Sequence, residues 1–387
     1  MTTPGPRPLP LDPLPARRKR ARRLAPALPA AVLVAILGAT IGAALSGCSR
    51  QPRFVPASAD SSLAVAGDSL AEQVRILNER WSAAGGGEEA ARLTAQVLLR
   101  DLRARLAAEA QASWEGRARA LLDSLDVGAE LVGSRCALGV NFFSRSDPTA
   151  GSWPWVFWCG GTVVQAQAVE GAGMGLVGLA ARGLSGEVAD SGSAPGIAAL
   201  FARRAGGGQQ PLLLTWLVVG ERLELAQTLG PDSLGGVGTG AFETPDDTAA
   251  VLGTRTWRPT PHFDECATCP HVFHQRRFRW TLVGFERVED LVVPTPYVAF
   301  VQLIQALTAG DRDGALQLVT RPALVESARR AGWATVRGSW RAAPGSEERG
   351  DELVFYRGAN EAWKVRFERH GGDWRVDAFE ATTRVIE

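Results

Sequence analysis

Residues 212–229 read LLLTWLVVGERLELAQTL, two apolar runs joined by a short polar link. Residues 212–219 and 223–229 are rich in side chains that favour β-strands. The link Val219-Gly220-Glu221-Arg222 has the composition of a tight turn. Because strands joined by so short a link are antiparallel neighbours, this stretch predicts a β-hairpin within a meandering antiparallel sheet.

The same strand-like alternation extends on both sides of this hairpin, between residues 129 and 290. We expect further strands at residues 136–143, 153–159, 162–169, 237–243, 248–257 and 272–285. Residues 171–202 are ambiguous, because residues 173–184 fit either a helix or a buried strand. The pattern therefore predicts an antiparallel β domain over residues 129–290.

Before this domain the apolar residues recur at helical spacing. Leu70, Val74, Leu77 and Trp81 follow the helical period, which resumes after a run of three glycines. We expect two or three amphipathic helices between residues 68 and 125, forming a helical hairpin over residues 63–128. The apolar stripes are short, so packing on the β domain is favoured over a coiled-coil site for a partner.

A third pattern covers residues 291–387. Thr295-Pro296 is a helix start, with threonine as N-cap and proline in the first turn, and Gly310 ends that helix. Two short helices follow, and residues 363–369 and 373–381 form a hairpin. The chain as a whole is therefore expected to be α+β.

This helix and strand order resembles the nuclear transport factor 2-like superfamily, which includes SnoaL-like cyclases and ketosteroid isomerases. The similarity lies in TPYVAF (295–300), LTAGD (307–311) and WRV (374–376). The resemblance implies helices on a curved sheet around a pocket, where enzymes of the superfamily place a carboxylate base and acids. Tyr297, Tyr356, His370 and Asp377 are such residue types, but none lies in a matching motif, so we transfer no catalytic residue.

The cysteines suggest a disulfide framework. Cys136, Cys159, Cys266 and Cys269 form an even set in a chain that we expect to be exported, which favours disulfides in any of three pairings. Proximity along the chain favours Cys136 with Cys159 and Cys266 with Cys269.

Three of the four histidines surround the second cysteine pair. His262, His271 and His274 could join Cys266 and Cys269 in binding zinc or copper(I), or the thiols could act in redox exchange. However, a second ligand pair is missing, and His271 and His274 would point to opposite faces of a strand. We therefore favour a disulfide-closed turn and expect no cofactor, with the metal-binding or thiol-active protein as the alternative.

The next strand carries three arginines. Arg276 shares its parity with Phe278 and Trp280, so we expect it to need a partner if it is buried. Arg277 and Arg279 fall on the other, solvated face. The strand predicted at residues 153–159 carries an aromatic cluster, Trp153, Trp155 and Trp158. Such a cluster is more typical of a core than of a sugar-binding or lipid-binding surface.

The amino-terminal segment has the parts of an export signal. Six basic residues between Arg17 and Arg23 precede an apolar run that ends in Leu45-Ser46-Gly47-Cys48. This order resembles the signal peptide and lipobox of bacterial lipoproteins, which implies removal of residues 1–47 and lipidation of Cys48. An uncleaved signal anchor over residues 24–47 is the alternative. Residues 48–62 are polar and are expected to be a lipidated tether, and Ser49 implies an outer-membrane location facing the periplasm.

Charge and motifs exclude several functions. Residues 1–47 hold seven of the 42 basic residues and one of the 41 acidic ones, so the remainder is net acidic and has no nucleic-acid footprint. Nucleophile-elbow, P-loop, dinucleotide and His-Glu-x-x-His motifs are absent from the sequence. We expect a non-catalytic envelope protein, attached to the membrane through Cys48, that binds a partner or small ligand. The alternative enzyme would be an isomerase or cyclase in the carboxy-terminal domain.

Overall fold

The hairpin at residues 212–229 lies in the middle of three stacked antiparallel sheets. The structure is a computed structural model. It describes residues 70–83, 85–106, 114–134, 136–148, 151–160, 163–169, 174–184, 195–205, 208–219, 222–243, 250–343 and 350–383. The predictions for Cys48 and for the tether lie outside these residues. Within the described part, none of the helices has the length and apolar character needed to cross a bilayer.

Three helices come first and cover one side of the first sheet. They are α1 (Leu70–Ser82), α2 (Gly87–Leu106) and α3 (Trp114–Ser124). Helix α2 buries Ala91, Ala95, Leu98 and Leu102 at helical spacing and packs against α1 and the first sheet, and α3 also packs on that sheet. The helical pattern read from the sequence is therefore confirmed.

The first sheet is a meander in the order β1-β2-β3-β4. Its strands are β1 (Gly128–Ser134), β2 (Ala137–Phe143), β3 (Trp153–Gly160) and β4 (Val163–Ala168). Cys136 and Cys159 are bonded across the β2 and β3 pair. Trp155 and Trp158 are buried in the same core, as the sequence favoured.

The second sheet contains the hairpin, and its centre is buried on both faces. Its strands, in order, are β5 (Met174–Arg182), β6 (Gly196–Ala205), β7 (Gly208–Val219) and β8 (Arg222–Leu229). In β6, Ile197 and Phe201 face the core shared with the first sheet and the helices, whereas Ala198 and Leu200 face the third sheet. A strand buried on both faces lacks polar alternation, which explains why the sequence left this region ambiguous.

The third sheet follows the short helix α4 (Pro231–Leu234). Its strands are β9 (Val237–Phe242), β10 (Val251–Trp257), β11 (His274–Thr281) and β12 (Gly284–Val292), in the order β12-β11-β10-β9. The single strand predicted at residues 272–285 is wrong, because a turn divides it. The turn residues Leu282 and Val283 are 58% and 67% exposed, so an apolar turn gave no polar signal in the sequence.

The carboxy-terminal part places three helices beside a fourth antiparallel sheet. The helices are α5 (Pro296–Ala309), α6 (Arg312–Gln317) and α7 (Ala323–Arg330). The strands, again in sequential order, are β13 (Trp340–Ala342), β14 (Glu352–Arg357), β15 (Glu361–His370) and β16 (Asp373–Ala381). The Thr295 side chain accepts from the Val298 backbone at the start of α5, and Gly310 ends this helix in the left-handed region, as predicted. The observed class is α+β with antiparallel sheets.

Candidate functional site

The segment between β10 and β11, residues 258–273, links the third sheet to the carboxy-terminal core. Phe263 is buried among α5 and the fourth sheet. Its neighbours are hydrogen-bonded to Trp340 on both sides: Asp264 donates to the Trp340 carbonyl at 2.7 Å, and Trp340 donates to the His262 carbonyl at 2.8 Å. The Cys266–Cys269 disulfide closes the next part of the segment. These contacts hold residues 262–264 against the carboxy-terminal core and close residues 266–269 into a turn.

Glu265 is a buried carboxylate held by this segment. Its side chain is 2% exposed. It accepts hydrogen bonds from the Tyr297 hydroxyl at 2.7 Å and from the Thr260 backbone N–H at 3.0 Å. Burial alone would raise the pKa of Glu265, but nearby His271 and these two donors together lower it. Burial and the adjacent negative charge raise the pKa of Tyr297, so it stays protonated and keeps donating.

His271 lies next to this carboxylate on the other side of the disulfide. Its ring stacks on that of Trp257, with centroids 3.5 Å apart and planes 11° apart, and meets the Phe273 ring edge-on at 5.8 Å. The side chain is 3% exposed, and its Nδ1 is 3.9 Å from Glu265 Oε2, beyond hydrogen-bond distance. Within the described residues, neither ring nitrogen has a hydrogen-bond partner. A buried unpaired polar group of this kind calls for an explanation, of which a ligand is one.

The His271 ring forms part of the wall of a cleft of about 430 Å³, hereafter the His271 cleft. The other walls come from β7, β9, β10 and the 258–273 segment, through Gly208, Gln209, Val237, Gly238, Thr239, Arg255, Trp257, Ala267 and Phe273. The Arg255 guanidinium lies over the Phe273 ring, 4.4 Å from its centroid. The cleft thus combines aromatic surfaces with two basic side chain types and a few neutral polar groups, a composition typical of small-molecule sites.

The residues of the metal-binding alternative do not converge on one point. Cys266 and Cys269 are bonded to each other, which confirms the disulfide prediction and engages both sulfurs. His262 is exposed, and His274 Nδ1 is 2.9 Å from Asp290 Oδ1. Among the described residues no group of three or more His, Cys, Asp or Glu side chains could hold a metal ion. Of the three histidines, only His271 lines the cleft.

The polar residues considered in the carboxy-terminal domain are also dispersed. Tyr297 is buried in the carboxy-terminal core, and its hydroxyl donates to Glu265 in the 258–273 segment. Asp377 pairs with Arg366 and accepts from Thr320, and these two interactions lower its pKa. His370 is exposed at the end of β15. The interior itself is filled by aromatic packing, such as Phe300 stacked on Phe355 at 3.7 Å.

Arg276 is buried and has the hydrogen-bond partners that its position on the buried face of the strand led us to expect. Its Nε donates to Asp290 Oδ2 at 2.9 Å, and its Nη1 donates to Thr256 Oγ1 at 3.0 Å. Burial would raise the pKa of Asp290, but His274 and Arg276 lower it. This pair lies beside the cleft strands and supports their geometry rather than lining the cleft.

Trp257, Arg255 and Glu265 are site residues that sequence reasoning did not identify as such. Arg255 and Trp257 lie two residues apart in β10 and carried no motif, and only the adjacency of Glu265 to Cys266 gave a hint. Comparison of the chain with protein-family models, with curated proteins and with solved structures found no match. The site must therefore be interpreted from its own geometry.

Proposed function

We propose that this protein is a lipid-anchored envelope component, acting without catalysis, that binds a small ligand in the His271 cleft. The leader sequence and Cys48 support the anchor and the outer-membrane location. The cleft supports the binding function, because aromatic walls and a small set of polar groups are what a small-molecule site requires.

The observation that carries the binding function is the environment of His271. Two buried nitrogens without hydrogen-bond partners among the described residues weaken the fold by about 1–3 kcal/mol per unsatisfied group. A neutral imidazole both donates and accepts, so a ligand with complementary groups would offset this penalty when it reaches the ring. The cleft beside the ring supplies the space for such a ligand.

The carboxy-terminal domain has a supporting role in this proposal. We propose that residues 291–387 are nuclear transport factor 2-like, supported by the order of three helices before a four-stranded antiparallel sheet. Its aromatic interior favours a structural role over an isomerase or cyclase pocket. The contact from Tyr297 to Glu265 joins this domain to the cleft.

The test is ligand-observed NMR on the full chain, purified in detergent with its disulfides intact. A set of small aromatic and aliphatic fragments is screened against the wild type, His271→Leu and the control His370→Leu, which alters an exposed histidine. The proposal predicts fragments that bind the wild type and His370→Leu but not His271→Leu. Equal binding to all three proteins, or no binding to any, would contradict it.

A further inference from the structure

We propose that the Cys266–Cys269 disulfide is a thiol-exchange site: an external dithiol reduces it in the folded chain, and its reduction loosens one wall of the His271 cleft. The exchange goes beyond the proposed function, whereas its effect on ligand binding rests on that function. Three features support it: the exposure of Cys266, the fixed flanks of the turn and the place of Ala267 in the cleft wall.

The two disulfides differ in how a reductant can reach them. Cys136 and Cys159 are each 1% exposed and lie in the core of the first sheet, so a thiolate reaches them only after β2 and β3 separate. Cys266 is exposed and Cys269 is partly exposed. Because exposed disulfides are reduced more readily than buried structural ones, the second bond is open to exchange while the chain stays folded.

The exchange consists of two displacement steps. A thiolate of the dithiol attacks Cys266 Sγ, which belongs to the more exposed cysteine, and the S–S electron pair leaves with Cys269 Sγ, which takes a proton from water. The second thiol of the reductant then displaces Cys266 Sγ and closes a disulfide within the reductant. Two electrons and two protons thus pass from the dithiol to the cysteine pair.

The chain on either side of the turn is held by contacts that do not involve the disulfide. Before the turn, Phe263 is buried in the carboxy-terminal core, and both of its neighbours are hydrogen-bonded to Trp340. After the turn, His271 is buried and stacked on Trp257. Breaking the bond therefore frees residues 266–269 without detaching the segment from the core.

The freed residues include part of the wall of the His271 cleft. Ala267 lies between the two cysteines and lines the cleft. Across the same turn, the Cys269 backbone N–H donates to the Cys266 carbonyl at 3.1 Å. Without the covalent link the turn gains conformational freedom, and Ala267 loses its fixed place. The redox state of the cysteine pair thereby controls the shape of the cleft.

The first experiment treats the full chain, purified in detergent, with increasing concentrations of dithiothreitol. Free thiols are then blocked with iodoacetamide, and the labelled cysteines are located by peptide mass spectrometry. We expect Cys266 and Cys269 to be labelled at about a tenfold or more lower concentration of dithiothreitol than Cys136 and Cys159, because they react without unfolding. Labelling of both pairs together, or labelling of Cys266 and Cys269 only when tryptophan fluorescence shows unfolding, would overturn the exchange site.

Hydrogen exchange at the selective concentration of dithiothreitol tests whether the turn loosens. The peptide covering residues 266–269 should exchange about tenfold faster after reduction, the effect of losing roughly one hydrogen bond, while β2 and β3 should not change. The double variant Cys266→Ser with Cys269→Ser should exchange at the fast rate with and without the reductant. An unchanged rate in the reduced wild type would overturn the effect on the cleft wall.

Ligand binding separates this inference from the proposed function. A fragment that binds the oxidised wild type should bind the reduced chain about tenfold more weakly, because the ligand must then order the loosened wall. Equal affinity in both redox states would overturn the link to the cleft while ligand binding at His271 stands. If the fragment screen finds no ligand, the proposed function fails, and the labelling result still decides the exchange site.

Discussion

The ring of His271 lies parallel to that of Trp257, with 3.5 Å between centroids, although the two residues belong to different elements. Trp257 ends β10, and His271 follows the disulfide-closed turn before β11. This stack places in the wall of a cleft an imidazole whose two nitrogens have no hydrogen-bond partner in the described part of the chain.

Removing the imidazole nitrogens should stabilise the fold while abolishing binding. We expect His271→Phe to keep the stack on Trp257 and raise the free energy of unfolding by about 1 kcal/mol, because removing two buried unsatisfied atoms outweighs losing the interaction by which His271 lowers the pKa of Glu265. Urea denaturation followed by tryptophan fluorescence measures this change. His370→Phe, at an exposed site, should alter neither stability nor binding.

A second variant separates this effect from overpacking by the larger ring. His271→Leu fills less space than phenylalanine and also lacks the nitrogens. If both variants lose 2 kcal/mol or more, on the order of a buried hydrogen bond to a charged group, the imidazole is part of a structural network and the ligand account of His271 is wrong.

Glu265 should make the free energy of unfolding decrease as the solution becomes acidic. The folded-state pKa of this carboxyl lies below its ordinary value of 4.5, so the carboxylate stabilises the fold above that pH. The contribution is lost as the pH falls from about 4.5 through the lower folded-state pKa. Glu265→Gln should lower the free energy of unfolding at pH 7 by about 1–3 kcal/mol, because its amide offers one oxygen to the two donors Tyr297 and Thr260.

The measurement is a pair of unfolding curves at several pH values for the wild type and Glu265→Gln. The difference between them should shrink as the solution becomes acidic. Glu286→Gln, an exposed change on β12, should run parallel to the wild type throughout. A difference that is constant with pH would show that the charge of Glu265 is not what stabilises the site.

The two disulfides should differ in what their removal affects. Cys136 and Cys159 are 23 residues apart, and the loop-entropy relation gives a cost of about 3 kcal/mol for losing this bond. Cys266 and Cys269 are 3 residues apart, which gives about 2 kcal/mol. However, the second bond lies between Glu265 and His271, so its loss should weaken ligand binding more.

This contrast is measured with two double variants, Cys136→Ala with Cys159→Ala and Cys266→Ser with Cys269→Ser. Urea denaturation gives the stability of each, and titration with a fragment that binds the wild type gives its affinity. Unchanged affinity in the Cys266 and Cys269 variant would mean that the disulfide does not position the cleft residues. Metal uptake by the reduced wild type, lost in that variant, would favour the metal-binding alternative.

We predict that a lipid on Cys48 attaches the chain to the membrane. In the native host we expect the wild type to incorporate an alkyne fatty acid and to sediment with the outer membrane, and Cys48→Ser to lose the label. Intact mass gives the amino terminus of each form. A wild type that retains residues 1–47 and carries no fatty acid would instead support the signal anchor.

Features fixed by local chemistry were predictable from the sequence. Thr295 and Gly310 bound α5 because capping depends on residues within one turn. The need of Arg276 for a partner followed from strand parity, and Asp290 supplies it. The helix bounds and the parity of Arg276 depend on neighbouring residues in the chain, whereas its partner Asp290 comes from the paired strand.

The cleft was not predictable, because it depends on contacts between distant segments. Glu265 meets Tyr297 only because Phe263 carries the 258–273 segment onto the carboxy-terminal core. Similarly, Arg255 faces Phe273 only once β10 and β11 are paired. Spacing in the sequence drew attention to the cysteines and histidines as a group, and the structure retains only His271 of the three nearby histidines as a cleft residue.

Native mass spectrometry of the full chain, isolated from the membranes of its own host, tests the central claim most directly. The account predicts a non-covalently bound small molecule on the wild type and on His370→Leu, and its loss from His271→Leu. A wild type without any bound molecule, or the same bound molecule on all three proteins, would contradict a ligand site at His271.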